Sequence, residues 1–84
     1  NEILILYDKI INETKLDKDT KNLFIIKKTI FIGDKIKEDE LLNTLNPIIQ
    51  SSSMWKRMAM EYIKNYYISR KEFNKAQEFD LKIK

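Results

Sequence analysis

The sequence predicts an all-α fold of about five helices paired in antiparallel hairpins. Apolar residues recur three and four positions apart along most of the chain, which is the spacing of amphipathic helices. The 84 residues include one glycine and one proline, too few for the turns of an antiparallel β fold. Hydrophobic residues make up 43% and charged residues 35%, a composition typical of a folded domain rather than a disordered one. We therefore expect one helical domain over residues 1–84.

The first two helices are predicted from their apolar faces and their end signals. The first runs from Glu2 to Thr14, and its apolar face comprises Ile3, Leu6, Tyr7, Ile10 and Ile11. The β-branched residues near its start leave a short strand as an alternative. The second runs from Lys18 to Ile32, with Asp17 or Asp19 as its N-terminal cap. Gly33 supplies the left-handed residue that commonly ends a helix.

The third helix lies between two boundary signals. The acidic residues Glu38, Asp39 and Glu40 fall in its first turn, where negative charge complements the exposed amide groups. The pair Asn46-Pro47 is predicted to end this helix, because proline disfavours helical geometry in the residue before it. An irregular stretch over residues 48–53 then follows.

The last two helices form the clearest hairpin. Met54 to Ser69 is predicted as the fourth helix, capped by Ser52 or Ser53. Its apolar arc is broad, so we expect it to be the most central element. The fifth helix is predicted from Glu72 to Lys82, and its apolar stripe is Phe73, Ala76, Phe79 and Ile83. A turn this short between two amphipathic segments makes them fold back on each other.

An internal repeat relates the two halves of the chain. A shift of 37 residues superimposes their apolar patterns, which predicts degenerate repeats at about residues 18–46 and 54–84. The second copy resembles a tetratricopeptide repeat: Ile63 and Tyr67 match its first helix. The string Lys71-Glu72-Phe73-Asn74-Lys75-Ala76 matches the turn into its second helix. The resemblance implies a right-handed α–α superhelix.

One branch of that superfamily is more similar than the others. The segments 41–48 and 55–61 resemble the periplasmic domain of bacterial ancillary translocon-subunit proteins. That resemblance implies a protein-binding, chaperone-like or assembly-related role at the inner membrane, on its periplasmic side, with no catalysis. It also implies a membrane anchor outside this chain, which opens on Asn1 and which we interpret as an excised fragment. A cytoplasmic location is the alternative.

The resemblance also indicates a candidate binding face. The positions that line the concave surface of tetratricopeptide arrays correspond here to Met58, Glu61, Asn65, Ile68 and Ser69. With Arg57 in place of Ser69, the candidate protein-binding residues are Arg57, Met58, Glu61, Asn65 and Ile68. The alternative is that Glu61 only pairs with Arg57 four residues earlier and solvates the helix. The expected partner is a protein or peptide.

Several kinds of chemistry are disfavoured by composition. The chain has no cysteine and no histidine, so it lacks a thiol nucleophile and both the commonest general base and the commonest zinc ligand. Asp17, Asp19 and Asn22 do not form a calcium loop, because glycine and glutamate are missing at the required positions. We therefore predict no catalytic residue, no cofactor and no metal.

Three further alternatives concern partners. Residues 47–84 have a net charge of +4, and one alternative partner is a nucleic acid, on whose bases Tyr62, Tyr66 and Tyr67 would stack. The favoured interpretation is that these three tyrosines belong to the core. Trp55 and the three methionines form either core or an exposed groove, with core again favoured. The terminal helices have apolar faces that a second copy would cover, so a homo-oligomer is an alternative. The longest apolar run, residues 3–7, predicts no membrane contact by this fragment.

Overall fold

The computed structural model describes residues 2–13 and 15–83, where it contains α-helices and one 3₁₀ turn but no strand. The predicted all-α class is confirmed, and the alternative of a strand near residue 3 is wrong. Asn1, Thr14 and Lys84 lie outside the described residues. The helices are α1 (Glu2–Glu13), α2 (Lys18–Ile32), α3 (Glu38–Ile49), α4 (Lys56–Ser69) and α5 (Phe73–Ile83), with the 3₁₀ turn at Gly33–Lys35.

Helix α2 begins and ends as predicted. The Asp17 carboxylate accepts a hydrogen bond of 2.7 Å from the Thr20 amide, so Asp17 rather than Asp19 is the cap. Gly33 has φ = +69°, in the left-handed region that side chains disfavour. A Cβ atom at this position would meet no atom within 4 Å, so the backbone conformation and not crowding requires glycine.

Helix α3 continues through Pro47 to Ile49, so the prediction that Asn46-Pro47 ends it is wrong. Ile48 lies on the same face as Leu41 and Leu45, and all three are at most 1% exposed. Burial of a side chain of this size stabilises the fold by about 2 kcal/mol, which offsets much of the cost of proline near the helix end. The helix closes when the Gln50 amide donates to the Asn46 carbonyl at 2.9 Å.

The last two helices begin slightly later than predicted. Helix α4 begins at Lys56 instead of Met54, and its N-cap residue is Trp55, so the predicted cap at Ser52 or Ser53 is wrong. The Ser53 hydroxyl instead accepts a hydrogen bond from the Trp55 amide at 3.1 Å in the turn before the helix. Helix α5 begins at Phe73, with the Glu72 carbonyl accepting from the Ala76 amide at 3.1 Å. None of the helices in residues 2–13 and 15–83 combines the length and apolar character needed to cross a bilayer.

Helix α4 is the centre of the core, as predicted, and packs against both α3 and α5. Five of its residues are buried, the most of any helix in the described chain. Phe73 is 61% exposed, so its predicted place in the α5 stripe is wrong, whereas Ala76 and Phe79 are buried. The buried apolar residues are Ile26, Ile36, Leu41, Leu45, Ile48, Ala59, Met60, Ile63, Tyr66, Tyr67, Ala76 and Phe79.

Helix α1 lies outside this core, packed on α2. Tyr7 contacts α2, and Ile10 and Ile11 are partly buried, but Ile3 and Leu6 are 47% and 57% exposed. The predicted apolar face is therefore wrong at Ile3 and Leu6. Apolar residues occur on more than one side of α1, and only its contact with α2 decides which of them become covered.

Helices α2 and α4 bury corresponding positions. Asn22, Ile26 and Thr29 are the buried residues of α2. The positions 37 residues later in α4 are Ala59, Ile63 and Tyr66, and these are buried too. Each helix therefore turns the opposite side away from the core, and that outer side of α4 contains the candidate site.

Candidate protein-binding face

The five predicted binding residues lie together on the outer side of α4. We call this surface the α4 face; its residues are Arg57, Met58, Glu61, Asn65 and Ile68. All five are exposed, and their spacing places them opposite the buried positions of the same helix. Met58 and Ile68 remain 43% and 41% exposed although they are apolar. The α4 face thus combines two apolar side chains with polar groups between them.

Arg57 and Glu61 pair with each other, as the alternative interpretation expected. The Arg57 Nε atom lies 3.4 Å from a Glu61 carboxylate oxygen, and the two side chains are 74% and 51% exposed. Exposed pairs of this spacing contribute only about 0.3–0.5 kcal/mol to stability. The pair therefore solvates the helix in the free protein. A partner that offers either side chain a better contact can break the pair at a small cost in free energy.

A shallow cleft adjoins the α4 face. Its volume is about 120 Å³, and its lining residues are Asp34, Tyr62, Asn65, Tyr66 and Ser69. Asn65 belongs to both the cleft and the α4 face. Arg57, Met58, Glu61 and Ile68 do not line the cleft. The Ser69 hydroxyl already donates to the Tyr66 carbonyl at 2.7 Å, so the Asn65 amide is the polar group better placed to receive a partner.

Arg70 and Tyr66 hold the wall of this cleft in place. The Arg70 guanidinium stacks 4.2 Å from the Tyr66 ring centre and donates to the Asp34 carbonyl at 2.8 Å. The Tyr66 hydroxyl donates to the Ile36 carbonyl at 2.9 Å. These contacts join α4 to the turn before α3. Sequence reasoning missed this role of Arg70.

A second polar network joins α3, α4 and α5 through Glu38. The Tyr67 hydroxyl and the Lys75 ammonium each donate to a Glu38 carboxylate oxygen at 2.9 Å. The hydrogen bond from Lys75, reinforced by that from Tyr67, lowers the pKa of Glu38. Burial, reinforced by the Glu38 carboxylate, raises the pKa of Tyr67 to about 12. Glu38 was predicted only as a helix-terminal acid, and its tertiary partners are 29 and 37 residues away.

The structure decides the place of the aromatic and sulfur side chains. Tyr66 and Tyr67 are 5% and 2% exposed, so the core interpretation is confirmed for both, and neither presents a ring face for stacking on bases. Met60 is also core. Met54 and Met58 are 70% and 43% exposed, so the core interpretation is wrong for these two residues. Trp55 and Tyr62 are partly buried against the core.

The acidic residues considered for calcium serve the ends of helices. Asp17 caps α2, and its hydrogen bonds with Thr20 lower its pKa. Asp19 accepts a hydrogen bond from the Ser53 hydroxyl at 3.0 Å. Across residues 2–13 and 15–83, no three histidine, cysteine or acidic side chains lie close enough together to hold a metal ion.

Comparison with known proteins adds no information about the function of this site. No protein-family model, no curated protein and no solved structure matches the chain. Membership of the tetratricopeptide superfamily therefore remains a prediction, and the case for function rests on the α4 face.

Proposed function

We propose that this chain is a protein-interaction scaffold that binds a segment of a partner protein on the α4 face. The observation that carries the proposal is the joint exposure of Arg57, Met58, Glu61, Asn65 and Ile68 on one side of a helix whose other side is fixed in the core. A helix held this way presents its outer residues without a further cost of ordering its backbone on binding.

The chemistry of the α4 face fits an amphipathic segment. Met58 and Ile68 are ten residues apart, so about 15 Å of helix separates their Cα atoms. Apolar side chains of a partner helix spaced about three turns apart match these two anchors. Between them, Glu61 and Asn65 offer one carboxylate and one amide to the partner's polar groups.

The resemblance to tetratricopeptide proteins extends this proposal. It places the chain in a right-handed α–α superhelix with an assembly-related or chaperone-like role at the bacterial inner membrane, facing the periplasm, with the anchor outside this segment. Fractionation of the native protein tests the location, because a cytoplasmic pool alone contradicts it. The proposal includes no catalytic step, since the chain has neither histidine nor cysteine.

Selection of binders from a displayed random-peptide library tests the scaffold function. We expect selected peptides to shift the amide NMR signals of α4 around Glu61 and Asn65. The double variant Glu61→Lys, Asn65→Ala should weaken their binding about tenfold or more. The matched control is Gln77→Ala, Glu78→Lys on the exposed side of α5, which should leave binding unchanged.

Two results would count against the scaffold. One is the recovery of no peptide that binds the α4 face. The other is a set of binders that respond equally to the α4 and α5 variants. Binding to nucleic acid, the second candidate, is checked in parallel: it requires an affinity that falls steeply with salt, and a flat salt response removes it.

A further inference from the structure

A second groove lies where α3, α4 and α5 meet. The last turn of α3, the first two turns of α4 and the last turn of α5 form it, and its volume is about 340 Å³, a size at which pockets begin to hold ligands. We call it the lysine groove; its lining residues are Asn46, Ile49, Gln50, Lys56, Met60 and Lys82. None of these residues belongs to the α4 face.

The apolar lining of the lysine groove is held in place by the core. Met60 is 5% exposed, and Ile49 is partly buried against the core residues. The two side chains come from different helices, and close packing beneath them fixes their positions. An apolar side chain of a ligand that covers them is removed from water on a surface that is already formed.

Two side-chain amides lie on the α3 side of the lysine groove. Asn46 and Gln50 are four residues apart, so they share one side of the helix end. Neither side-chain amide has a hydrogen-bond partner among the residues that the structure describes. Each amide provides both donors and an acceptor, which match the carbonyl and N–H groups of a peptide backbone. The acyl chain of a lipid offers neither group.

The ionised side chains of the lysine groove are both positive. They are Lys56 and Lys82, and no acidic side chain of the described chain lines the groove. Within residues 2–13 and 15–83, neither lysine forms an ion pair. The Lys82 ammonium lies 4.6 Å from the Phe79 ring centre, a contact that leaves its charge in place. Of the acids before Lys82 on α5, Asp80 pairs with a lysine of α4, and Glu78 does not line the groove.

Lys56 stands where a helix disfavours positive charge. The N-terminal end of a helix has a partial positive charge, which acidic residues complement. Helices α2 and α3 follow this rule with Asp19 and Glu38 in their first turns. Helix α4 instead begins with Lys56 and Arg57, without an acid in its first turn and without a side-chain cap. The stability of α4 therefore does not account for Lys56.

We propose that the lysine groove binds an acidic peptide segment of a partner protein, in which carboxylates lie on both sides of one apolar side chain. The apolar side chain packs on Ile49 and Met60, and the carboxylates pair with Lys56 and Lys82. Opposite charge selects this class of segment and speeds its association. The lysine groove is a different surface from the α4 face, so this inference goes beyond the proposed function.

Selection from a displayed random-peptide library, followed by depletion, tests the lysine groove. Peptides that bind the unaltered chain are depleted on the variant Lys56→Gln, Lys82→Gln, which lacks both charges of the groove. The peptides that remain should have acidic residues on both sides of an apolar one. After synthesis with capped ends, which removes their terminal charges, they should shift the methyl NMR signals of Ile49 and Met60.

The affinity of each capped peptide gives the quantitative test. Lys56→Gln, Lys82→Gln should weaken binding about tenfold or more at low ionic strength. The matched control is Lys21→Gln, Lys35→Gln, which removes two exposed lysines from α2 and the 3₁₀ turn and should leave binding unchanged. Circular dichroism verifies the fold of every variant.

Replacement of the acidic residues of the peptide by their amides provides a test that leaves the protein unaltered. It should weaken binding to the unaltered chain about tenfold or more, and it should have little further effect on the variant Lys56→Gln, Lys82→Gln. The two losses should not add, because both changes remove the same charge pairs.

Four results would overturn the inference. They are the recovery of no peptide that depends on Lys56 and Lys82, binders without acidic residues, losses that simply add, and binding of anionic phosphatidylglycerol vesicles through these lysines in place of any peptide. Peptides that shift only the signals of the α4 face would remove the lysine groove and keep the scaffold. Peptides that bind only the lysine groove would support this inference and count against the α4 face.

Discussion

Replacing Ile63 with alanine should destabilise the fold far more than the same replacement at Ile68. Both residues belong to α4, and both changes raise the helix propensity equally. Ile63 is 0% exposed between α3 and α5, whereas Ile68 is 41% exposed on the α4 face. The difference between the two variants therefore isolates the tertiary packing on which the architecture depends.

The magnitude follows from the atoms removed. Alanine lacks three of the carbons of isoleucine, and each buried carbon contributes about 0.8 kcal/mol, so the transfer loss at Ile63 is about 2.4 kcal/mol. The cavity left behind raises the total to about 3–4 kcal/mol, and the gain in helix propensity offsets a few tenths of it. At Ile68 no closed cavity forms, and we expect a loss of about 1 kcal/mol or less.

Urea unfolding followed by circular dichroism measures both changes. The midpoint should fall strongly for Ile63→Ala with little change in the slope, because the surface exposed on unfolding stays similar. For a domain of 84 residues, 3 kcal/mol corresponds to a drop in Tm of about 15–20 °C.

Equal losses at the two positions would refute the reasoning. That outcome would mean that α4 does not lie between α3 and α5, since only the packing of those helices distinguishes the two isoleucines. A large loss at Ile68 alone would indicate that the α4 face is itself buried in solution.

Two further predictions concern α3 and the Glu38 network. Pro47→Ala should stabilise the fold by about 1–2 kcal/mol, because alanine restores an amide donor inside α3 and removes the proline ring. The greater freedom of the unfolded chain offsets part of this gain. A lower urea midpoint for the variant would contradict this prediction. The pKa of Tyr67 is about 12 in the folded state and 10.0 in the unfolded state, so the unfolded chain loses this proton first as the pH rises. The free energy of unfolding should therefore decline between about pH 10 and about pH 12, by up to about 2–3 kcal/mol. Tyr67→Phe should flatten that decline, and an unchanged pH profile in the variant would show that Tyr67 does not cause it.

The sequence predicted the helices well where local chemistry sets their ends. Helix α2 begins after Asp17 and ends before Gly33, as predicted. A side-chain cap and a left-handed glycine both act within a few residues of the helix end at which they lie. Pro47 does not end α3, because its local preference is opposed by the burial of Ile48, which depends on helices far away in the chain.

The residues of the α4 face were predicted from the sequence, but the cleft beside them was not. The resemblance to tetratricopeptide repeats indicated Glu61 and Asn65, and their spacing places them with Arg57 on one side of α4, since a helix repeats every 3.6 residues. The adjoining cleft could not be predicted, because Tyr66 and Arg70 hold its wall through hydrogen bonds to backbone carbonyls of the turn before α3. Tertiary contacts of this kind leave no periodic signal in the sequence.

By itself, the sequence determined the fold class, the number of helices and the set of polar residues on α4, because helical periodicity and end signals are local properties. The tertiary structure decided which apolar residues are covered. Phe73 is exposed and Ile36 is buried although the proposed repeat aligns them. The turn at Ile36 lies under α4, and the described chain has no element after α5 to cover Phe73. Burial depends on what lies opposite a side chain in space, and a residue's neighbours in sequence do not determine that.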